Sequence, residues 1–215
     1  MSAMTLSYDE AVARVTAAGE RFETAPVDIG GITHTVFKNA PPTLREIFAT
    51  ARQRSDDAIF LVYEDERWSF PDVMRHVDGL GALLVDRYGV TKGDRVAIGM
   101  RNYPEWVIAF AAITSIGAIS VSLNAWWTED ELDYALDDCG ANVLIGDRER
   151  VERAAGTCKR LGIARLGVRL DDRDCAGVDR MEEVLPLGTP LPEVDLGPDD
   201  DATILYTSGT TANPK

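Results

Sequence analysis

The sequence predicts an α/β fold, a mainly parallel sheet flanked by helices, with a helical and hairpin arm ahead of it. Three observations predict it. Short apolar runs alternate with segments whose apolar residues recur every three or four positions. Most of the helical segments carry their own start signal, and several β-branched runs are apolar almost without interruption, as strands buried on both faces are. Helices and strands alternating at this spacing imply parallel strands joined by right-handed crossovers.

The elements follow in order. In the arm, residues 1–42, Ser7-Tyr8-Asp9-Glu10 is a capping-box pattern, and Ala11, Val12, Val15, Ala18 and Phe22 then share one helical face. The Gly30-Gly31 pair between apolar runs predicts a hairpin, and Pro41-Pro42 closes the arm. Thr43-Leu44-Arg45-Glu46 opens a helix; a strand from about Ala58 to Tyr63 meets the acidic turn Glu64-Asp65-Glu66, and a second strand returns to Phe70. Ser69-x-x-Asp72 with Pro71 starts a helix through Val73, Val77, Leu80, Leu84 and Tyr88 that Gly89 ends. A strand over Arg95 to Met100 follows, then a helix capped by Asn102-x-x-Glu105 and stopped by Gly117, then a strand over Ile119 to Leu123. Thr128-x-x-Glu131 caps a helix ending at Cys139-Gly140; after it come a strand over Asn142 to Ile145, a helix near Glu149 to Leu161, and the strand-like RLGVRL. From Asp171 to Pro198 the acidic cluster Asp171-Asp172-Arg173-Asp174 and four prolines read as a surface connection with a short helix about Met181 to Leu185. Ala202 to Tyr206 is the last strand.

Composition excludes several classes. The 215 residues are 45% hydrophobic and 27% charged, an ordinary globular balance with room for one well-buried core. With 22 Lys and Arg against 36 Asp and Glu, the net charge of −14 repels nucleic acid and anionic membrane, so no nucleic-acid partner is expected. Cys139, Cys158 and Cys175 are odd in number and far apart, which reads as packing residues in a reducing compartment. His34 and His76 lie near neither a cysteine nor each other, so no metal constellation is readable. No charged-then-apolar leader opens the chain, which places the expected location in the cytoplasm. Trp106 to Thr128 carries no charge and is long enough to span a bilayer, but Gly117 divides it, Asn124 interrupts it and its flanks are acidic, so a buried helix and strand are expected and no transmembrane span. Asp199-Asp200-Asp201 reads as a solvated turn in preference to a magnesium site.

The chain closes on TILYTSGTTANPK. Phosphate oxygens are held by backbone N–H groups of a glycine-containing turn, by hydroxyls and by an ammonium, and Thr207, Ser208, Gly209, Thr210, Thr211 and Lys215 supply all three donor types within nine residues. The order is not that of a Walker loop. On composition alone the stretch reads equally well as a polar tail. It follows a strand, where ligands of open α/β sheets bind.

YTSGTTANPK resembles the phosphate-binding signature of the adenylate-forming enzymes, the superfamily of acyl-CoA synthetases, luciferases and peptide-synthetase adenylation domains. RWSFPDV, GVTKGDRVAI, the 101–124 segment, EDELDYALDDCGANVLIGD and DDDATILYTSGTT are similar in order and spacing to the first lobe of an acyl-CoA synthetase. The resemblance implies ATP, Mg²⁺ and coenzyme A as co-substrates and a small-molecule carboxylate, a fatty acid among the candidates, as the acid. It implies that Thr207, Ser208, Gly209, Thr210, Thr211 and Lys215 hold the β- and γ-phosphates and that Thr207 also helps hold Mg²⁺. One position departs: Ala212 stands where the family usually has glycine, at a cost of roughly 1 kcal/mol if that residue needs a positive φ.

It further implies a lobe over 43–197 and a strand and loop over 198–215 leading into a second lobe beyond Lys215, with the remaining nucleotide and acid pockets there. The 215-residue chain is then expected neither to make acyl-adenylate nor to bind ATP tightly, to have poorly ordered last residues, and to expose apolar surface that could drive homodimerisation. The alternative from the residues alone is a non-catalytic α/β nucleotide-binding or regulatory module.

Overall fold

The computed structural model describes residues 6–54, 58–171 and 175–207. The chain divides into two compact units, Met1–Pro42 and Thr43–Lys215.

In the first unit, α1 (Tyr8–Val15) starts on the expected capping box: Ser7 Oγ accepts from Glu10 N at 3.3 Å and Glu10 Oε2 accepts from Ser7 N at 2.8 Å. The helix stops at Val15, short of the face expected to reach Ala18 and Phe22. Thr16 donates its hydroxyl to the Val12 carbonyl at 2.8 Å, a local bond that competes with helix propagation, and Gly19 then adopts φ +83°. Strands β1 (Thr24–Ile29) and β2 (Ile32–Phe37) pair antiparallel with Ile29 opposite Ile32. The connecting Gly30 and Gly31 both have positive φ, 60° and 82°, as the tight hairpin turn that matches strand twist requires.

The second unit begins with α2 (Leu44–Arg52), capped by Thr43, and a separate antiparallel pair, β3 (Ile59–Tyr63) with β4 (Glu66–Ser69). Helix α3 (Phe70–Asp86) starts on the Ser69/Asp72 capping box with Pro71 in its first turn, and leads to β5 (Arg95–Gly99). Helix α4 (Pro104–Ser115) corrects one expectation. Its N-cap is Tyr103, not Asn102, and no side chain caps it; Pro104 at the first position has no N–H to satisfy, which removes one of the donors a cap would serve. Gly117, at φ +75°, separates α4 from β6 (Ile119–Ser122), so the uncharged run is a buried helix and strand. Among the described residues no helix is long and apolar enough to cross a membrane.

Helix α5 (Glu129–Cys139) opens on the Thr128/Glu131 capping box and closes on left-handed Gly140, and β7 (Ala141–Asp147) follows. The single helix expected near Glu149 to Leu161 is two, α6 (Arg148–Arg153) and α7 (Ala155–Leu161), interrupted at Ala154 with φ −86° and ψ 6°. The interruption serves two different burials: Arg150 of the first segment goes to the carboxyl ends of β5 and β7, beside Gly99 and Gly146, while Thr157 and Cys158 of the second pack toward α5, where Thr157 Oγ1 donates to Asp133 at 2.6 Å. Then come β8 (Ala164–Val168), an unexpected two-residue β9 (Asp179–Arg180), α8 (Met181–Val184) and β10 (Thr203–Leu205).

Six strands form one sheet in the order β10-β6-β5-β7-β8-β9, and every pairing in it is parallel. Period-two alternation distributes the strand side chains between two cores. Val96, Ile98, Val143 and Ile145 join α3 and α4 on one face, while Ala97, Val121 and Leu144 join Leu132 and Leu136 of α5 on the other. Each such fully buried Val, Leu or Ile contributes roughly 1.5–3 kcal/mol relative to exposure.

The connection into β10 is tied down along its length. Arg45 donates to the carbonyls of Ser115 at 2.9 Å and Pro192 at 2.7 Å, and Lys92 donates to the Asp195 carbonyl at 2.9 Å. Asp200 accepts from Gly197 N and pairs with Lys92, each at 2.7 Å, so the acidic turn is fastened at its middle residue while Asp199 and Asp201 are exposed.

One clamp holds the β3–β4 hairpin to the sheet. Arg169, just past β8, donates from Nη1 and Nη2 to the two oxygens of Glu66 at 2.7 and 2.9 Å and from Nε to Glu105 at 2.9 Å. Its guanidinium also lies over the rings of Tyr63 and Tyr103, at 4.8 and 5.0 Å. Arg169, and after it the Trp68 indole, push the Glu66 carboxyl down to about 2. A carboxylate lowered on folding stabilises the fold above its ordinary value, near 4.5, and loses that contribution as pH falls toward 2. Acid titration followed by Trp68 resonances is therefore expected to release the hairpin below pH 4.5, and Arg169→Ala to move that release to higher pH. An acid limb identical in the variant would show that the clamp contributes nothing.

Candidate functional site

Strand β10 lies at the edge of the sheet beside β6, with Thr203 opposite Ser120, Ile204 opposite Val121 and Leu205 opposite Ser122. Ser120 N reaches back to the Ala202 carbonyl at 2.9 Å, which extends the pairing by one residue. Exposure alternates along 203–207: Ile204 and Tyr206 turn inward, whereas Thr203, Leu205 and Thr207 face out. Tyr206 is the anchor. Its ring meets Trp127 edge-on at 5.8 Å, and its hydroxyl donates to Asp138 Oδ2 at 2.5 Å, close to the Ala135 carbonyl at 3.3 Å. Burial, then the Asp138 carboxylate, raise the Tyr206 phenol above its ordinary range, so it stays a neutral donor at any physiological pH.

Thr207 thus leaves the carboxyl end of a parallel strand on its exposed side, where the sequence places the start of the phosphate loop. Ser208, Gly209, Thr210, Thr211, Ala212 and Lys215 lie outside the described residues, as does the expectation of poor order there. Mg²⁺ bound to a nucleotide takes much of its coordination from phosphate and water and needs one or two protein oxygens, a demand that the Thr207 hydroxyl fits.

The rim beside it is built from the carboxyl ends of neighbouring strands. The strand order reverses between β5 and β7, because the chain passes from β5 to β6 on one side and then to β7 on the other. Such a reversal opens a crevice where ligands of open α/β sheets bind. Asp147 stands there, at the end of β7 and as the N-cap of α6: its Oδ2 accepts from Arg101 N at 3.1 Å and its Oδ1 from Arg150 N at 3.3 Å. Arg150, 2% exposed, pairs with Asp147 at 3.2 Å and donates from Nε to the Ala125 carbonyl at 2.7 Å. Arg153 donates to the Trp127 carbonyl at 2.6 Å. Two arginines of α6 therefore hold the loop between β6 and α5, the same loop whose Trp127 supports Tyr206. At its tip Trp126, 74% exposed, lies under the Arg101 guanidinium at 4.9 Å.

Sequence reasoning missed Asp147 and Arg150. An Asp after a strand and before a helix is an N-cap signal that could have found the first. No local signal marks a buried arginine, because arginine is ordinarily a surface residue.

An open parallel sheet with a reversal of strand order, and with Thr207 exposed just past the carboxyl end of its edge strand, defines a class of α/β protein that takes its ligand at the carboxyl ends of its strands. The chain belongs to the AMP-binding enzyme family, which matches residues 47–215. It is 30% identical over 177 residues to a medium/long-chain-fatty-acid–CoA ligase of Mycobacterium tuberculosis, covering 82% of this chain and 29% of that protein. It is 31% identical over 167 residues to a 2-succinylbenzoate–CoA ligase of Bacillus velezensis, covering 76% of this chain and 30% of that one. The fold is also that of an anthranilate CoA ligase crystallised with anthranoyl-AMP, with a TM-score of 0.74 at 24% identity over 82% of this chain and 34% of that chain. The chain spans about 30% of the length of these curated relatives.

Proposed function

We propose that this chain forms the first lobe of an AMP-forming acid–thiol ligase, with residues 43–197 as the lobe and 198–215 delivering the phosphate loop toward a second one. The observation that carries the reading is the family match over 47–215 together with the exit of Thr207 from the carboxyl edge of the sheet, beside the reversal of strand order. In the proposed reaction a carboxylate oxygen attacks the α-phosphorus of ATP and pyrophosphate leaves. The thiol of coenzyme A then attacks the acyl carbon, loses its proton, and AMP leaves. Fatty acids are the favoured acid class, supported by the ligase of M. tuberculosis among the relatives.

In this reading Thr207, Ser208, Gly209, Thr210, Thr211 and Lys215 cradle the β- and γ-phosphates, and Thr207 would give one oxygen to a Mg²⁺ ion, whose contribution would be to neutralise phosphate charge. The chain's own contribution is positional: Tyr206 fixes the strand end, and Arg150 and Arg153 fix the loop against which it packs. A cytoplasmic setting is supported by three free cysteines, and Leu205, 70% exposed, offers apolar surface for self-association of the isolated chain.

The test is carboxylate-dependent exchange of pyrophosphate into ATP by the longest polypeptide that carries this chain, against a panel of acids. Exchange is expected with at least one acid, with Lys215→Ala and Thr207→Ala each lowering kcat/KM by about 10²-fold, the usual effect of losing a preorganised donor. The 215-residue chain alone is expected to give none. Exchange indifferent to both substitutions would sink the reading.

A further inference from the structure

Beneath the β3–β4 hairpin is a half-open cavity of about 240 Å³ that, among the described residues, shares none with β10. Its floor is apolar, with Val168, Met181 and Leu185, and its wall is aromatic, with Trp68 and His76 meeting edge-on at 5.0 Å. It is somewhat smaller than the ~300–1,000 Å³ of sites for drug-sized ligands, so its occupant is a small molecule of a few bonds' length.

The polar groups around it are unbalanced in one direction. Arg169 serves two carboxylates, Glu66 and Glu105, and Glu182, which also lines the cavity, pairs with Arg180 at 3.5 Å, which leaves one negative charge of these five groups uncompensated. The Glu105 side chain, 15% exposed, gives Oε2 to Arg169, and among the described residues no donor reaches its Oε1. His76 Nδ1 lies 2.8 Å from the Asp72 carbonyl, and because a carbonyl only accepts, Nδ1 carries a hydrogen, so that in the neutral ring Nε2 is the acceptor. Among the described residues no donor reaches that nitrogen either. Arg169 itself sits at φ +50°, a left-handed conformation that a long side chain rarely adopts and that concentrates where a site imposes it.

Two unmatched acceptors, an uncompensated negative charge, an indole and an apolar floor ask for a ligand that brings N–H donors, a positive charge and an apolar body. A carboxylate would add a third negative charge around one arginine, and a neutral hydrocarbon would leave both acceptors without a donor. We propose that this cavity binds a small primary ammonium bearing an aromatic or branched aliphatic group, with Glu105 Oε1 and His76 Nε2 accepting its N–H groups and Trp68, Val168 and Met181 packing on its apolar body. The assignment does not depend on the ligase reading.

The experiment titrates 2-phenylethylammonium into the 215-residue chain and follows histidine and tryptophan ring resonances by NMR. The chain has two histidines, so His34 is an internal reference. The His76 and Trp68 signals are expected to follow one saturable curve while His34 stays still, with 2-phenylethanol and 3-phenylpropanoate at least tenfold weaker. Glu105→Gln should raise the Kd of the ammonium about tenfold and leave that of the alcohol unchanged. Leu187 lines the cavity and is 54% exposed, so Leu187→Trp should plug the cavity without taxing the fold and abolish the shifts. Absence of saturation, equal binding of the carboxylate, or shifts that survive in Leu187→Trp would each overturn the proposal.

Discussion

Replacing Arg150 with methionine is expected to destabilise the second unit by about 3–5 kcal/mol, the cost of breaking a buried ion pair from one side. Arg150 is 2% and Asp147 8% exposed at the side chain, so water cannot take over the lost contacts. The variant keeps the apolar stem of the side chain and removes the guanidinium. It deprives Asp147 of its cation and the Ala125 carbonyl of its donor, while Asp147 still accepts from the backbone N–H groups of Arg101 and residue 150. Against a typical domain stability of about 5–15 kcal/mol this is a large share.

Urea denaturation gives the magnitude, and a second variant apportions it. In Arg150→Met with Asp147→Asn the charge left behind is gone, so the double variant is expected to be more stable than Arg150→Met alone. A loss below about 1 kcal/mol in the single variant would mean that Asp147 is solvated in solution. Because Arg150 also holds the loop that supports Trp127, the Trp127–Tyr206 contact should loosen in step with stability.

What could be read from the sequence is what depends on neighbours in the chain. The Ser69/Asp72 and Thr128/Glu131 capping boxes and the left-handed Gly140 are local hydrogen-bonding devices, complete within a few residues. The parallel sheet was readable because runs such as Val143 to Ile145 are apolar on both faces. The order of the strands was not, since β7 pairs with β5 and β10 with β6 across long stretches of chain that no local pattern encodes. Strand β9, two residues long, is below what alternation can signal, and the interruption at Ala154 follows from where Arg150 and Cys158 are buried, a tertiary matter. At the candidate site the place of Thr207, just past the end of a strand, was readable from the apolar run before it. The arginines that hold the adjoining loop were not, because nothing in RERVER distinguishes a buried guanidinium from a solvated one.

Gly146→Ala should cost about 3 kcal/mol, the upper part of the usual range for overpacking a core. Gly146 of β7 sits opposite Gly99 of β5 in the parallel register. A Cβ there would stand 2.7 Å from the Gly99 carbonyl oxygen and 3.1 Å from Val151 Cγ1. The oxygen belongs to the backbone of a central strand and cannot turn aside; relief needs β5 and β7 to spread at the carboxyl edge, where they carry Arg101 and Asp147. Gly99→Ala is the contrasting case, since its Cβ would meet Leu144 Cδ1 at 3.3 Å and Arg150 Cβ at 3.6 Å, and the first is a side-chain tip that can shift by a few tenths of an ångström. That variant is expected to lose about 1 kcal/mol or less, well below Gly146→Ala by the same urea titration. Equal losses at the two positions would show that the strands separate easily, and with them the rim on which the proposed phosphate loop depends.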